Sequence, residues 1–581
     1  MRSAASAAVH FAVVATIWDA VAIGLENPAS FRGTADGLRF GAATLAIHAA
    51  VALAGCAALA PIVRRSPRTA AAVSFGVGLA VWLFVWGSSR VHVRWLFGEP
   101  LASPKSLLAS AVVLVASVAV AVVIARTLQR PLAAAAARSW PLVALSAATA
   151  VAVAWAVWPA EVAPRRTGGA APGRDLLLVT LDTTRADHLS SFGYPRGTTP
   201  ALDRLARGAD WMGTLVAPVP LTNPSHVSIF TGLGPREHGV RNNGTALADT
   251  TSTFVARLHE GGFRAAAFVS GTPMKRSLSG LGAGFETYDD AFSFLERMHP
   301  MLTAIAVVRA AARVLPLDLL ERRANATVAA AERWLVSTQG RRFVWVHLFD
   351  AHSPYTAPAT LTSRFAIESR GWSHRGRSVV EWPIAHYDAE LRSTDRAVGA
   401  LLRSFHEATG GDGAVVLVAD HGEGLSDHDA LTHGTQLFDE DVRVPVVASW
   451  GAGRAGLHPE FLASSAALHD VILAIAGGDE PRFAEADEVV SETFPPEGRF
   501  RRTALLRRDS SGDVRKLVVD WDEGSEQRYS LGADPGEMKP APDDPAWQRL
   551  RAELTPPGAS EGTEELDAET VRKLRALGYV H

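Results

Sequence analysis

A threonine, two aspartates and a histidine occupy positions from which they could form one reaction centre. Thr222 begins the segment TNPSHVSIFTGLGPREHGVRNN, which ends at Asn243. Asp182 directly follows the apolar run LLLVTL, and Asp420 and His421 directly follow the apolar run AVVLVA. Mixed carboxylate and imidazole ligands suit Zn²⁺ or Mn²⁺, whereas sets made only of oxygen suit Ca²⁺ and Mg²⁺. A divalent cation also favours the ionised form of a nearby hydroxyl, so the sequence predicts a threonine nucleophile at a metal centre.

The elements that would position these residues belong to an α/β fold. From residue 174 onward, short apolar runs alternate with amphipathic segments, which predicts a mostly parallel central sheet with helices on both faces. Ligands of such sheets gather at the carboxyl ends of the strands, where Asp182 and Asp420 lie. The predicted strands are LLLVTLD, RAAAFVS, RFVWVHLF and AVVLVAD, and the predicted helices are TPALDRLARGA, AHYDAELRSTDRAVGALLRSFHEA and SHVSIFTG.

The order of these motifs resembles the sulfatase family of the alkaline phosphatase superfamily. Thr-x-Pro-x-His at Thr222 is followed by Thr-Gly-Leu, His-Gly and Asn243, as in that family. The resemblance extends over nearly all of 174–581. It implies the family's α/β domain, completed by a small C-terminal antiparallel sheet. Further similar segments are LDTTRADHLSSFGYPRGTTPALDRLA, WVHLFDAHSPY, VADHGEGL and LRALGYV.

The residue at the nucleophile position departs from sulfatases proper. They carry a Cys or Ser that is oxidised to formylglycine and is followed by Pro-x-Arg, whereas this chain has Thr222 and His226. Threonine bears a methyl group where that oxidation needs a CH₂ group, so the aldehyde cannot form. A threonine here resembles the nucleotide pyrophosphatase/phosphodiesterases, which implies direct attack on a phosphate ester.

The same resemblance implies a ligand set. In the threonine-type families, the residues that match Asp182, Thr222, Asp420 and His421 bind one ion, and this set fits tetrahedral Zn²⁺. Zn²⁺ is the expected cofactor, with Mn²⁺ or Ca²⁺ as alternatives, in one or two ions. Sulfatases usually have Asn or Gln where this chain has His421, which again favours zinc over calcium.

A second group of residues is expected to serve a second metal or the substrate. His433 resembles a histidine with that role, and His352 follows Asp350 in DAHSPY. Two-metal phosphodiesterases usually have Asp-x-x-x-His instead, so His352 and His433 are also candidates for direct substrate contact or for proton donation to the leaving group. Asn243 and His226 are predicted to bind the substrate, with Asn243 donating to a non-bridging oxygen.

The N-terminal part predicts a membrane domain. Apolar runs near 7–25, 41–63, 69–89, 107–125 and 139–159 each have about the length of a bilayer-spanning helix. Arginines between the second and third runs and between the fourth and fifth favour a cytoplasmic N-terminus. Five crossings would then place the catalytic part outside the cytoplasm, in the periplasm. A signal peptide is the alternative for the first run alone.

The chain is therefore divided into four parts by prediction. Residues 1–160 form the membrane domain, 161–173 a linker rich in Pro, Gly and Arg, 174–485 the catalytic domain, and 486–581 the C-terminal subdomain. A net charge of −3 gives no reason to expect nucleic-acid binding. A single cysteine in the whole chain excludes an intrachain disulfide and a zinc site built from cysteines.

Two features stay open between a functional and a structural interpretation. Asp19 lies in the first apolar run, where a charge is costly in lipid, and it is either functional or at a domain boundary. The apolar segment 298–320 contains arginines and is too short to span, so it either lies on the bilayer surface or covers the sheet.

Three functions remain in competition. The first is an extracytoplasmic phosphodiesterase or phosphotransferase that uses Thr222, similar in layout to phosphoethanolamine transferases, with a phospholipid or an envelope glycan as substrate or acceptor. The second is a sulfuric ester hydrolase that acts without formylglycine. The third is a catalytically idle scaffold or transporter, against which the complete set of Asp182, Thr222, Asp420 and His421 argues.

Overall fold

The computed structural model describes most of residues 174–557, apart from 293–320, 369–372, 375–376, 379–380, 452–456, 459–460 and 495–500, together with short N-terminal pieces, of which 75–84 and 104–128 are the longest. The chain divides into two compact units, Met1–Ala163 with Ala291–Leu319, and Pro164–Asp290 with Leu320–His581. Asp19, the linker 161–173 and the segment 298–320 lie outside the described residues.

The second unit is built on a mixed sheet in the order β10-β2-β9-β8-β1-β5-β3-β4, in which β9 alone runs against its neighbours. The strands are β1 (Leu176–Leu181), β2 (Trp211–Val216), β3 (Arg264–Val269), β4 (Thr287–Asp289), β5 (Arg342–Leu348), β6 (Ser373–His374), β7 (Arg377–Ser378), β8 (Ala414–Ala419), β9 (Arg443–Ser449), β10 (Leu457–His458), β11 (Glu488–Glu492), β12 (Arg502–Arg508), β13 (Val514–Asp520) and β14 (Ser525–Ser530). The predicted α/β fold and its four predicted strands are confirmed.

Helices cover both faces of this sheet, as predicted. The helices of the described residues are α1 (Pro104–Thr127), α2 (Pro200–Arg207), α3 (Thr222–Thr231), α4 (Pro235–His238), α5 (Phe254–Glu260), α6 (Arg276–Ser279), α7 (Ala324–Ser337), α8 (Ala359–Glu368), α9 (Glu381–Thr409), α10 (Asp439–Val442), α11 (Leu468–Gly477) and α12 (Pro545–Glu553). One face packs against α7 and α9, and α3 packs with α5 and α11.

Strand alternation decides which side chains can reach a site. Leu177, Val179 and Leu181 of β1 enter the apolar core with α7 and α9. Thr180 points to the opposite face, because successive side chains of a strand alternate. In the parallel register, Thr180 lies opposite His347 of β5, so both side chains share the face that α3 covers.

The small sheet β11-β12-β13-β14 is antiparallel, and it confirms the predicted C-terminal sheet. Helix α12 packs on one face through Trp547 and Leu550. The opposite face packs on the catalytic part, and there the fully buried ammonium of Lys516 lies 2.8 Å from both Asp439 and Glu537. A buried cation needs such carboxylate partners, so these contacts fix how the small sheet sits on α10.

The described N-terminal residues contain one helix that is long and apolar enough to cross a bilayer, Leu108–Thr127 within α1. It coincides with the fourth predicted span. The helical segment Phe75–Phe84 lies inside the third predicted span and is shorter. A Cβ atom built on Gly76 would lie 3.1 Å from the Cβ of Ala125, so the two helices approach closely there. The other predicted spans fall almost entirely outside the described residues.

Candidate active site

Strand order brings the two predicted aspartates together. Strand β1 lies between β5 and β8, so Asp182 and Asp420 leave the same edge of the sheet on neighbouring strands. Thr183 has a φ of +48°, which is rare for a β-branched residue. This conformation lets the Thr183 N–H donate to Asp420 Oδ1 at 3.2 Å, while the Tyr387 hydroxyl donates to the Thr183 carbonyl at 2.7 Å. A strained turn thus orients one carboxylate.

Thr222 is placed at the first residue of α3, and every residue of that helix is buried. The Ser225 hydroxyl donates to the Asp420 carbonyl at 2.7 Å, which ties the first turn of α3 to the end of β8. The Thr222 hydroxyl lies 3.4 Å from His421 Nε2. Backbone N–H groups at the start of a helix are only partly used within it, so a negative charge is favoured near Thr222.

The donor atoms around Thr222 fit a divalent cation. Asp182 Oδ2 lies 3.3 Å from His347 Nε2, and the buried Oδ1 has no hydrogen-bond partner in the described part of the chain. Asp420 is arranged the same way, because Oδ1 accepts the His421 N–H at 2.8 Å and the buried Oδ2 has no such partner within the described ranges. His421 Nδ1 donates to the Gly422 carbonyl at 2.9 Å, which leaves the Nε2 lone pair for a ligand.

These three side chains converge. One ligand atom from each of Asp182, Asp420 and His421 lies within 4.8 Å of the others. Burial raises the pKa of Asp182 to about 7, although His433 and the Thr222 hydroxyl lower it. Burial, followed by the neighbouring Asp182 charge, also raises the pKa of Asp420 well above its usual range. Two buried carboxylates of like charge need a cation, so the donor set fits the metal that the sequence predicts.

Asn243 contacts the nucleophile segment through its side-chain oxygen. Its Oδ1 accepts the N–H of Asn223 at 2.7 Å, and the Asn223 amide donates in turn to the Thr245 carbonyl at 2.7 Å. The buried Nδ2 of Asn243 has no protein partner among the described residues. The orientation of the amide is fixed by the N–H that it accepts, so the NH₂ group remains available as a donor, as its predicted role requires.

His226 lies behind Thr222, where both ring nitrogens are engaged. Nδ1 is 2.7 Å from the Thr222 carbonyl and Nε2 is 2.9 Å from the Thr180 hydroxyl. Burial and the neighbouring His347 hold the pKa of His226 well below its usual value, so the ring is neutral. Because both nitrogens are already in hydrogen bonds, neither is available to a substrate oxygen. The geometry favours a supporting role for His226 over the predicted substrate contact.

His433 lies beside His421, and His352 lies beside His433. The ring centroids of His433 and His421 are 4.4 Å apart, and those of His433 and His352 are 5.1 Å apart. His433 Nδ1 lies 3.0 Å from Glu423 Oε1. Burial lowers the pKa of His433, but the carboxylates of Glu423, Asp182 and Asp420 outweigh it and the net shift is upward. A ring that holds its proton at higher pH is suited to donate that proton to a leaving group.

Asp350 does not join this group, contrary to its predicted role. Its two oxygens lie 3.1 and 2.9 Å from the backbone N–H of Ala324, the first residue of α7. Arg323 lies 3.7 Å from the same carboxylate. Asp350 therefore caps a helix, because the first N–H groups of a helix need acceptors from outside it.

Three site residues escaped the sequence prediction. His347 and Thr180 lie inside strands that are apolar on both faces, so no alternation marks them out. Glu423 follows His421 by two positions, and its Oε2 is buried without a hydrogen-bond partner in the described segments. A polar residue inside an otherwise apolar strand was the available signal for His347 and Thr180.

Comparison with known proteins supports the class that the fold and the site indicate. The family model Sulfatase matches residues 174–477, which is more than half of the chain. Bovine (Bos taurus) arylsulfatase A is 26% identical over 367 residues, which cover 56% of this chain and 68% of that protein.

Solved structures give a similar but more distant match. Phosphonate monoester hydrolase of Agrobacterium radiobacter is 18% identical, with 65% of this chain and 93% of that chain covered and a TM-score of 0.48. A sulfatase-like protein, yidJ from Bacteroides fragilis, is 15% identical, with 71% and 98% covered and a TM-score of 0.49.

The chain belongs to the sulfatase family, within the alkaline phosphatase superfamily. It is therefore a hydrolase of a metal-dependent family, and its residues provide a group that could hold the metal.

Proposed function

We propose that this protein is a membrane-anchored, extracytoplasmic enzyme that cleaves or transfers a phosphoryl group of a phosphodiester through Thr222. The observation that carries the proposal is the convergence of Asp182, Asp420 and His421 on a threonine hydroxyl at a buried helix start. Threonine cannot yield the aldehyde on which sulfatases proper rely. Direct attack by the hydroxyl suits phosphorus, so the substrate class follows from the nucleophile.

The four residues Asp182, Asp420, His421 and Thr222 would hold the ion, for which Zn²⁺ is the expected identity. A bound divalent ion would supply positive charge that favours the ionised form of the Thr222 hydroxyl near neutral pH. The partial positive charge at the start of α3 acts in the same direction.

The proposed reaction has two halves. Thr222 Oγ1, whose proton has passed to the solvent, forms a bond to phosphorus while the bond from phosphorus to the leaving alcohol breaks, and the alcohol takes up a proton from His433. Burial holds the pKa of His352 well below its usual value, so this second histidine is less suited to that role. Water or a second alcohol then attacks phosphorus and gives its proton back to His433, while the bond from phosphorus to Thr222 Oγ1 breaks. The Nδ2 of Asn243 donates to a non-bridging oxygen in both halves. Water gives a hydrolase, and a lipid or glycan hydroxyl gives a transferase.

The membrane location is supported by the composition and packing of the N-terminal part. Leu108–Thr127 has the length and apolarity of a span, and it exposes large side chains such as Leu108 and Val115. Small residues lie instead at its contact with Gly76, as in helix pairs within bilayers. A reporter enzyme that is active only outside the cytoplasm, fused after residue 173, tests the orientation, and an inactive reporter contradicts it.

The test of the reaction compares three substrates with one variant. Bis-p-nitrophenyl phosphate, p-nitrophenyl phosphate and p-nitrophenyl sulfate are assayed with the full chain and with Thr222→Ala. We expect the diester to be preferred, and the variant to be folded but inactive. Mass spectrometry after incubation with membrane lipids should find a phosphoryl adduct on Thr222. Wild-type turnover by Thr222→Ala would refute the proposal.

A second candidate function is sulfate-ester hydrolysis without formylglycine. Membership of the sulfatase family and the similarity to bovine arylsulfatase A favour it. Faster turnover of p-nitrophenyl sulfate than of either phosphate ester in the same assay would decide for this alternative. An absence of turnover on all three esters would instead favour an idle scaffold.

A further inference from the structure

A continuous line of hydrogen bonds runs beneath the proposed nucleophile. The indole Nε1–H of Trp345 donates to the Thr180 hydroxyl oxygen at 3.0 Å. That hydroxyl lies 2.9 Å from His226 Nε2, and His226 Nδ1 lies 2.7 Å from the Thr222 carbonyl. All four residues are completely buried. The line crosses from β5 through β1 to α3 and ends at the backbone of Thr222.

The chemistry of the end groups sets the direction of this line. An indole nitrogen only donates and a carbonyl oxygen only accepts. His226 Nδ1 must therefore carry the proton that meets the Thr222 carbonyl. The Thr180 oxygen accepts the hydrogen bond from Trp345, so its own O–H can donate to His226 Nε2. That nitrogen is then unprotonated. One imidazole tautomer is thereby selected, with its proton on Nδ1.

We propose that His226 is a positioning residue for the nucleophile, and that Trp345 and Thr180 hold it in the one tautomer that anchors the carbonyl of Thr222. The inference rests on the proposed function of Thr222, because it explains how that hydroxyl is aimed. His226 reaches back to the residue at the start of its own helix. The end of a helix otherwise frays readily, so this bond fixes the backbone from which the Thr222 side chain projects.

A metal-binding role for His226 is the alternative that the geometry disfavours. His226, His347 and Asp420 have atoms close enough together to hold an ion. His226, however, already uses Nδ1 on a carbonyl and Nε2 on a hydroxyl. A metal ligand needs a nitrogen lone pair that is free of such bonds. In Asp182 and Asp420, by contrast, one oxygen of each carboxylate has no hydrogen-bond partner in the part of the chain that the structure describes.

The kinetic test uses a matched pair at Thr180, which touches neither the substrate nor the proposed ligand atoms in the hydrogen bonds described. Thr180→Val keeps the shape and removes the hydroxyl, and Thr180→Ser keeps the hydroxyl. A misplacement of the reacting atom by about 1 Å costs on the order of 100-fold in rate. We expect kcat on bis-p-nitrophenyl phosphate to fall by roughly 10- to 100-fold in Thr180→Val, with KM within about twofold, since only positioning is lost.

The serine variant separates positioning from packing. Thr180→Ser should retain kcat within about threefold of the wild type, although it loses a buried methyl group that Thr180→Val keeps. Trp345→Phe loses only the N–H donor and part of the ring. Its kcat should lie between those of Thr180→Ser and Thr180→Val. Equal kcat in the wild type and Thr180→Val would overturn the proposal, as would a loss in Thr180→Ser as large as in Thr180→Val.

A spectroscopic arm tests the line without relying on turnover. Nitrogen-15 magic-angle-spinning spectra of the full chain in lipid, labelled at histidine, report the tautomer, and the resonances lost in His226→Gln identify the ring. We expect an Nδ1–H tautomer whose Nε2 signal shifts in Thr180→Val. A protonated Nε2 in the wild type, or an unchanged signal in Thr180→Val, would refute the line. An enzyme with no activity on the three esters refutes the proposed function alone, and these spectra then decide the inference.

Discussion

The backbone N–H of Asn223 donates a 2.7 Å hydrogen bond to the side-chain oxygen of Asn243. This bond connects the residue after the proposed nucleophile to the residue 20 positions further along the chain. Because the oxygen of the amide is used in this way, the NH₂ group is the part of Asn243 that remains available as a donor. The same contact thus supports the start of α3 and orients a donor.

Replacing Asn243 with Asp should separate these two roles. The variant keeps the oxygen that accepts the Asn223 N–H but replaces the NH₂ donor with a second oxygen. We expect kcat on a phosphodiester to fall by about 100-fold or more, because loss of one donor to a developing negative charge typically has that effect. Because the new carboxyl group is buried, circular dichroism at the assay temperature must show that the variant is still folded.

Asn243→Leu serves as the comparison, since it removes both the acceptor and the donor. It should lose activity and stability together, because the Asn223 N–H is left buried without its acceptor. An Asn243→Asp variant with the turnover of the wild type would show that the NH₂ group does not contact the substrate.

We expect a bound metal ion to reverse the effect of Asp420→Asn on stability relative to the wild type. Without an ion at pH 8, Asp420→Asn should unfold at a higher temperature than the wild type, because it removes a buried charge next to Asp182. With Zn²⁺ at about 100 times its dissociation constant, the free energy of unfolding of the wild type should rise by about 2.7 kcal/mol, and that of Asp420→Asn should rise little. Differential scanning fluorimetry of the full chain, with and without a chelator, measures both.

The control for this experiment is Asp388→Asn. Asp388 is equally buried, but its carboxylate bonds to His188 at 2.8 Å, Tyr194 at 2.8 Å and Arg196 at 2.6 Å. Removing a paired buried charge leaves its partners unsatisfied, so this variant should be destabilised to the same extent in both conditions. An Asp420→Asn variant that is destabilised without metal, as Asp388→Asn is, would count against the cation site.

The sequence was sufficient for the strands and for the pairing of Asp182 with Asp420, since both follow apolar runs and parallel strands end at one edge. It could not show that β1 lies between β5 and β8, because strand order depends on pairing between distant segments. His347 was missed for that reason. Its contact with Asp182 exists only because β5 lies beside β1. Asp350 was predicted to serve a second metal or the substrate, but it accepts the N–H of Ala324. A carboxylate that follows a strand can equally well cap a neighbouring helix.

The pH dependence of stability should contain a contribution from Glu390, a buried residue of α9. Burial raises the pKa of its carboxyl to about 7, even though Arg323 lowers it. A raised folded-state pKa means that this group stabilises the fold fully below its ordinary pKa of 4.5, and that the contribution is lost as the pH rises through about 7. The loss amounts to about 3 kcal/mol at most.

The measurement is the free energy of unfolding of the catalytic domain in urea between pH 4.5 and 8. Glu390→Gln should show a flatter profile than the wild type, because the glutamine does not titrate. Glu407→Gln, at an exposed position of the same helix, should keep the profile of the wild type. Parallel profiles for the wild type and Glu390→Gln would exclude this contribution.

The contact between α1 and the helical segment Phe75–Phe84 predicts a sharp size limit at Gly76. A Cβ atom there would already lie 3.1 Å from that of Ala125, so any larger side chain must push the helices apart. Packed membrane helices depend on such close approach, because lipid supplies no hydrophobic driving force between them. We therefore expect Gly76→Leu to lower the stability of the membrane domain by about 1–3 kcal/mol, as overpacking does elsewhere. Val115→Leu also enlarges a side chain of α1, but at a position that is 69% exposed, and it should have almost no effect. Heat-induced aggregation of the detergent-solubilised full chain, followed by size-exclusion chromatography, compares the two. Equal aggregation temperatures for Gly76→Leu and Val115→Leu would mean that the two helices do not pack in the membrane as they do here.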